Sequence, residues 1–326
     1  DICFITYTKS ASKEFRNRLR NQYGYTKKDI PYICTLHSLC YHALHEPELI
    51  KPKDMQSFCQ KHNIPTKFDE NQNDDGFIEI KNNTQGEFLF SSFDWARHTN
   101  PEHPKQILYD APSTLYLNDY LKNDIEKYYS LWEDYKHKEG KIDFTDLLMC
   151  ALSENFIPPT SILFVDEFQD FTPLQYRLYE KFAEKNNETY IVGDDDQCLF
   201  VWAGADVKLL LNTRYDNKII LDKTYRLPEN ILRFSNNLIR NIHNRENKNI
   251  KPRESGGIVK KIRTNSFQDI FRETDGYSFL LFRTNHMVNS FTDMLFKRGV
   301  PYRMIKRQGR WTPSFLILCN IIKKIK

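Results

Sequence analysis

An open α/β fold built on a parallel sheet is predicted by two features of this 326-residue chain. Short, wholly apolar runs recur at Ile162 to Val165, Tyr190 to Val192, Ile219 to Leu221 and Phe279 to Phe282, and unbroken runs of this length suit strands covered on both faces. Each run is followed closely by reactive polar residues: Asp166-Glu167, Gly193-Asp194, Thr224-Tyr225-Arg226 and Arg283-Thr284-Asn285. Ligands of open α/β sheets bind outside the carboxyl ends of the strands, so the repeated order points to one shared site.

Taken along the chain, the remaining elements follow from local pattern. Lys67 to Glu87 is polar and poor in apolar residues, and within it Asp69 to Gly76 reads as a surface loop. Ile125 to Tyr135 carries charged and aromatic residues at helical spacing. Asn241 to Gly257 is rich in Asn, Lys and Arg, ends in two glycines, and is predicted to be a loop before a strand at Ile258 to Arg263. The length accommodates two domains with sizeable cores, and a hydrophobic fraction of 40% with 14% aromatic residues is that of a globular protein.

The residue types at the strand ends suit phosphoryl transfer. There the protein mainly positions groups and neutralises charge, using a metal-holding carboxylate, a group that orients water and a cation on the transferred phosphoryl. Asp166, Glu167 and Arg226 supply these three. Asp166 alone would serve equally as a helix cap, and Arg226 alone as a surface ion pair. The acids and amide clustered through Glu167, Gln169 and Asp170 favour the metal reading; Asp194 to Asp196 also reads as an ordinary acidic turn. No Gly-rich stretch ending in Gly-Lys-Ser/Thr occurs, the pattern whose backbone N–H groups and Lys cradle phosphates.

The order Asp166-Glu-Phe-Gln-Asp170, Gly193-Asp-Asp-Asp-Gln197 and Thr224-Tyr-Arg226 resembles motifs II, III and IV of the UvrD/Rep/PcrA family of superfamily 1 DNA helicases. Upstream, the segment from Ile5 to Leu19 resembles motif Ia, and Thr35-Leu-His-Ser-Leu-Cys40 resembles motif Ib. Ile142-Asp-Phe-Thr-Asp-Leu-Leu148 is similar to the segment preceding motif II in that family, and Phe279 to Tyr302 to one early in its second motor domain.

The resemblance implies a RecA-like motor domain at 1–45 and 140–221, a helical subdomain inserted at 46–139, and the start of a second RecA-like domain at 222–326. It implies ATP and Mg²⁺ as cofactors, with Asp166 on the metal, Glu167 polarising the attacking water, Gln197 sensing phosphate, Arg226 on the γ-phosphate and Tyr225 against adenine. Tyr7, Thr8, Thr35, His37, Trp202 and Asn285 are the implied contacts to single-stranded DNA. Single strands are held by backbone electrostatics plus stacking on aromatic faces, worth about 1–3 kcal/mol per base; for Trp202 core packing is the competing reading, and for His37 a structural hydrogen bond. The implied activity is ATP-driven 3′-to-5′ translocation and unwinding at duplex junctions, in repair, recombination or replication. The rivals are a catalytically silent DNA-binding or scaffolding homologue and a motor module of a helicase-nuclease. The resemblance further implies a P-loop upstream of Asp1 and motifs V and VI downstream of Lys326. One departure stands out: Trp202-Ala203-Gly204-Ala205 has Ala203 where many relatives have Arg, and a methyl cannot replace a guanidinium.

Charge and cysteine usage agree with an intracellular, cytoplasmic or nucleoid-associated setting. The net charge of +4 is a weak pointer to a polyanion, but Lys9 to Arg20 and Arg303 to Arg310 are strongly basic. Seven cysteines, with no Cys-x-x-Cys pair, argue against a disulfide framework or a zinc site. No apolar run approaches the roughly 20 residues that span a bilayer.

Overall fold

β-Branched and aromatic residues nucleate four short strands, Ile2–Thr6 (β1), Ile33–Thr35 (β2), Ile162–Val165 (β3) and Glu188–Ile191 (β4). They form one wholly parallel sheet in the order β2-β1-β3-β4. Parallel pairing requires long crossovers, and these are helical: Lys9–Tyr23 (α1) joins β1 to β2, and Pro173–Ala183 (α8) joins β3 to β4. The computed structural model describes residues 1–68, 83–261, 279–282, 285–300, 302 and 304. They fall into two compact units, Asp1–Val259 and Lys260–Lys326.

Between β2 and β3 run Leu36–Ala43 (α2), Pro52–Lys61 (α3), Gln85–Thr99 (α4), Asp119–Asn123 (α5), Ile125–Glu139 (α6) and Phe144–Ser153 (α7). Helices α3, α4 and α6 enclose a core of their own around Phe58, Phe90, Phe93 and Trp132. Phe90 and Trp132 meet edge to face with centroids 4.6 Å apart, a geometry favoured by the ring quadrupoles. The insertion is closed at its neck, where Ile50 donates to the Ile142 carbonyl (2.9 Å) and Ile142 to that of Glu48 (3.0 Å). Val207–Asn212 (α9) and Glu229–Ile239 (α10) follow the sheet.

The two faces of the sheet are covered unequally. Cys3, Ile5, Leu163 and Val165 are buried against α2, α7 and α8. The opposite face carries a ladder of rings: Phe15 of α1 stacks on Phe4 (4.2 Å), Phe4 lies 6.0 Å from Phe164, and Phe164 stacks on Tyr190 (4.7 Å). Helix α1 covers only its first rung, and Tyr190 on β4 is 46% exposed.

A buried ionic cluster ties the insertion to the sheet domain. Arg97, at the end of α4, is 1% exposed and donates to Asp143 (2.7 and 3.1 Å), Asp146 (2.9 Å) and Asp94 (2.9 Å). Lys136 of α6 reaches Asp143 (3.0 Å) and Asp146 (2.6 Å). Asp143 is the N-cap of α7 and Asp146 its reciprocal capping-box partner, so the cations gather on the acids that already begin this helix. Arg97 and Lys136 hold the Asp143 carboxyl well below its usual range despite its burial.

Three strand expectations are corrected. Ile219 to Leu221 is not part of the sheet, and all three side chains are exposed. Phe279 to Phe282 likewise forms no strand, with Phe279 and Leu281 exposed. Ile258 to Lys261 is not a strand either; residues 262 and 263 lie outside the described residues. An apolar run becomes a strand only where a neighbour accepts its backbone hydrogen bonds. Among the described residues Ile219 to Leu221 has none, the nearest pairing being the isolated bridge of Lys223 with Lys251. The expected loop Asp69 to Gly76, Arg283, Thr284 and the run Phe315 to Lys326 also lie outside the described residues. Asn241 to Gly257 is a loop beyond α10, as its composition predicts.

Candidate functional site

Because all four strands run the same way, their carboxyl ends bring four sequence motifs to one edge. Leaving β1, the chain presents Tyr7 and Thr8; Thr8 caps α1 by accepting from Ala11 N–H (3.2 Å). Leaving β2, Thr35 caps α2 by accepting from Ser38 N–H (3.2 Å). Beyond β3 come Asp166 and Glu167, and beyond β4 comes Gly193 to Gln197.

Asp166 is anchored through its backbone, donating to the Ile5 carbonyl (2.9 Å). Burial, then the adjacent charge of Glu167, pushes its carboxyl above the usual range. A divalent cation would relieve that excess of negative charge, and hard oxygen donors of this kind suit Mg²⁺. Glu167 adopts left-handed backbone angles, φ 56° and ψ 42°, a conformation that disfavours side chains and concentrates at functional turns. The turn leaves the Glu167 side chain exposed beside a buried Phe168.

Gln169 links the ends of β3 and β4. Its amide, 1% exposed, donates to Glu167 Oε2 (2.6 Å) and accepts from Asp194 N–H (2.9 Å). Gly193 makes this possible: a Cβ there would stand 2.8 Å from Gln169 Oε1 and 3.3 Å from the Gln169 backbone nitrogen. Asp170 accepts from Leu199 N–H (3.0 Å), and burial pushes its carboxyl up to about 6. The Asp166 to Asp170 run is therefore joined to the chain leaving β4 at Asp194 and again at Leu199, a tie that spacing gave no means of finding.

Gln197 is exposed and donates to Asp194 Oδ2 (2.5 Å). The acidic turn preceding it has the ligand spacing of a cation site, but its counter-charges are protein groups. Lys248 Nζ lies 2.5, 2.5 and 2.9 Å from Asp194, Asp195 and Asp196, while Arg245 binds Asp196 through both carboxylate oxygens (2.6 and 2.8 Å). Neither cation was singled out by the sequence pattern.

An aromatic row borders this edge. Tyr7 lies 4.8 Å from Phe200, and Phe200 lies 6.1 Å from Trp202, a residue 45% exposed. Trp202 is thus a surface residue, and Phe200, absent from the sequence-based candidates, joins it to Tyr7. Ala203 is buried (5%), so its methyl is enclosed by protein. Gly204, at φ 96°, lies against the end of α4, where a Cβ would come within 2.9 Å of Thr99 Oγ1.

The other candidates are more dispersed. His37 is buried, edge-on to Phe144 at 5.9 Å, and burial lowers its pKa to about 4. Thr35 is buried as a helix cap. Tyr225 and Arg226 are exposed; Arg226 forms no ion pair with Asp166 or Glu167 among the described residues, and Lys223 Nζ lies 5.1 Å from the Tyr225 ring. Asn285 begins the helix Asn285–Lys297 in the second unit, and its side chain lies outside the described residues.

Comparison with known proteins agrees with this arrangement. The chain is 26% identical to the "Probable DNA helicase II homolog" of Mycoplasma capricolum, over 93% of its own length and 45% of the relative's. It is 25% identical to the "ATP-dependent DNA helicase Rep" of Buchnera aphidicola, over 93% and 48%. It is 26% identical to the "ATP-dependent DNA helicase PcrA" of Bacillus subtilis, over 79% and 36%. The chain thus spans less than half the length of these relatives. The family description "UvrD/REP helicase N-terminal domain" matches residues 1–218, which include the whole sheet, the helical insertion and the aromatic row. The chain therefore belongs to the UvrD/REP DNA helicase family, and its parallel sheet is that of a RecA-like motor domain.

Proposed function

We propose that this chain is part of an ATP-driven motor that moves 3′ to 5′ along single-stranded DNA and opens duplex at junctions, in repair, recombination or replication. The observation that carries the reading is the Gln169 bridge. A residue that holds both Glu167 and the Asp194 turn joins a water-activating carboxylate to the loop that continues through Gln197 to Phe200 and Trp202. Hydrolysis and base stacking thereby share one short path, and a silent binding protein has no use for it.

In this reading Asp166 holds Mg²⁺, which neutralises phosphate charge when bound, and Glu167 orients the attacking water. Gln197 and Arg226 read the γ-phosphate, and Tyr225 stacks on adenine. Tyr7, Thr8, Thr35, His37, Trp202 and Asn285 are the strand contacts of this reading. Residues 1–45 and 140–221 form the first motor domain, 46–139 its helical insertion, and 222–326 the start of the second motor domain. The setting is intracellular, and no described helix is long and apolar enough to cross a membrane.

Strand displacement tests the reading. The full-length protein should unwind a duplex with a 3′ single-stranded tail when ATP and Mg²⁺ are present, and leave a 5′-tailed duplex intact. Equal unwinding of both would remove the polarity. Tight DNA binding without ATP turnover would favour the silent homologue.

A further inference from the structure

The loop after α10 touches both halves of the proposed nucleotide site. On one side, Arg245 binds Asp196 bidentately, Lys248 spans Asp194, Asp195 and Asp196, and Glu246 N–H donates to Asp195 (2.7 Å). These groups are largely withdrawn from water: the side chains of Lys248, Asp195 and Asp196 are 12%, 6% and 8% exposed. Bidentate, charge-assisted contacts of this kind fix geometry as well as charge. On the other side, the same loop is laced to the segment that carries Tyr225 and Arg226. Thr224 donates to the Lys251 carbonyl (2.9 Å), Lys251 to that of Asp222 (2.6 Å) and Arg253 to that of Leu227 (3.0 Å).

We propose that Arg245 and Lys248 are positioning residues: they clamp the Asp194–Asp196 turn, and with it Gln197, in register with the backbone that presents Arg226. The inference rests on the reading of Gln197 and Arg226 as the groups that sense the γ-phosphate. The clamp acts at one remove, since Gln197 itself is tied to Asp194, whose other carboxylate oxygen receives Lys248. The hydrogen bonds from Arg245 draw the Asp196 carboxyl below its usual range, and the three acids raise the Lys248 pKa despite its burial. Asp196 and Lys248 therefore stay charged through the physiological range, so their ion pair is a fixed link, independent of pH there.

The test compares Lys248→Met, Lys248→Arg, Arg245→Gln and Gln197→Ala in the full-length protein, with ATPase measured with and without a single-stranded oligonucleotide alongside thermal melting. A displacement of about 1 Å at a reacting group can cost on the order of 100-fold. Lys248→Met and Arg245→Gln should therefore lower DNA-stimulated kcat by about 10- to 100-fold while the KM for ATP changes less than about threefold. Lys248→Arg should recover most of the loss. Wild-type stimulation in Lys248→Met and Arg245→Gln, with Gln197→Ala impaired, would overturn the clamp and leave the motor reading intact. Losses that follow the melting temperature across the variants would also overturn it, by making the pair structural only. A parent protein that DNA does not stimulate at all would instead remove the underlying reading.

Discussion

Gln169 and Phe200 are the residues through which separated motifs become one site. Gln169 bonds with both ends of its amide, one to Glu167 and one to the Asp194 backbone. Phe200 stands between Tyr7 and Trp202. Asp166, Glu167, Gln197 and Trp202 were legible because each belongs to a compact motif. Gln169 lies inside such a motif, but its role depends on a partner 25 residues away, and no local spacing encodes that distance. Phe200 carries a prediction. Stacking on an aromatic face contributes about 1–3 kcal/mol per base, so Phe200→Ala should weaken binding of an oligothymidine by about 5- to 150-fold in a fluorescence anisotropy titration. An unchanged Kd would make Phe200 a packing residue.

Helix α4 unites the architecture at the scale of elements. It is buried on nearly every side, and its last turn faces three ways. Arg97 reaches Asp143 and Asp146 at the start of α7; His98 Nδ1 lies 2.9 Å from Thr172 Oγ1, the N-cap of α8; and Thr99 meets Gly204. The helical insertion is thus fastened to the elements on either side of Asp166 to Asp170 and to the loop of Trp202. Burying ions is costly, and removing one partner leaves the others uncompensated. Arg97→Met should therefore lower the unfolding free energy by about 3–5 kcal/mol in a urea titration, since buried Asp94 and the half-buried Asp143 and Asp146 lose their guanidinium. A change below about 1 kcal/mol would mean that Lys136 alone neutralises the cluster. The spacing of α6 revealed a helix, but neither it nor the Asp143 to Asp146 motif disclosed the cations that would meet them. Conversely, Ile219 to Leu221 shows that apolar composition announces a strand without saying whether a neighbour exists to pair with it.

The molecule as a whole brings chemistry to one edge by a simple device, a sheet whose strands all point the same way. Its parallel character and the strands at Ile162 and Tyr190 were readable as continuous apolar runs. The three-residue strand Ile33–Thr35 was too short to announce itself. Unequal coverage of the two faces was invisible in the sequence, because alternation along a strand separates faces without naming what lies on them. The same edge holds the paired carboxylates, the Gln197 turn and the aromatic row, and their union is the central claim: Glu167 activates water for a reaction that bound DNA accelerates. The most direct measurement is ATP hydrolysis by the full-length protein and its Glu167→Gln variant, with and without single-stranded DNA, alongside nucleotide binding. Glu167→Gln preserves size and polarity while removing the charge to which the proposed mechanism assigns the polarisation of water. Loss of an activating group of this kind costs about 100- to 10,000-fold, so DNA-stimulated kcat should fall by that order with ATP affinity little changed. Turnover at the wild-type rate in Glu167→Gln would contradict the account.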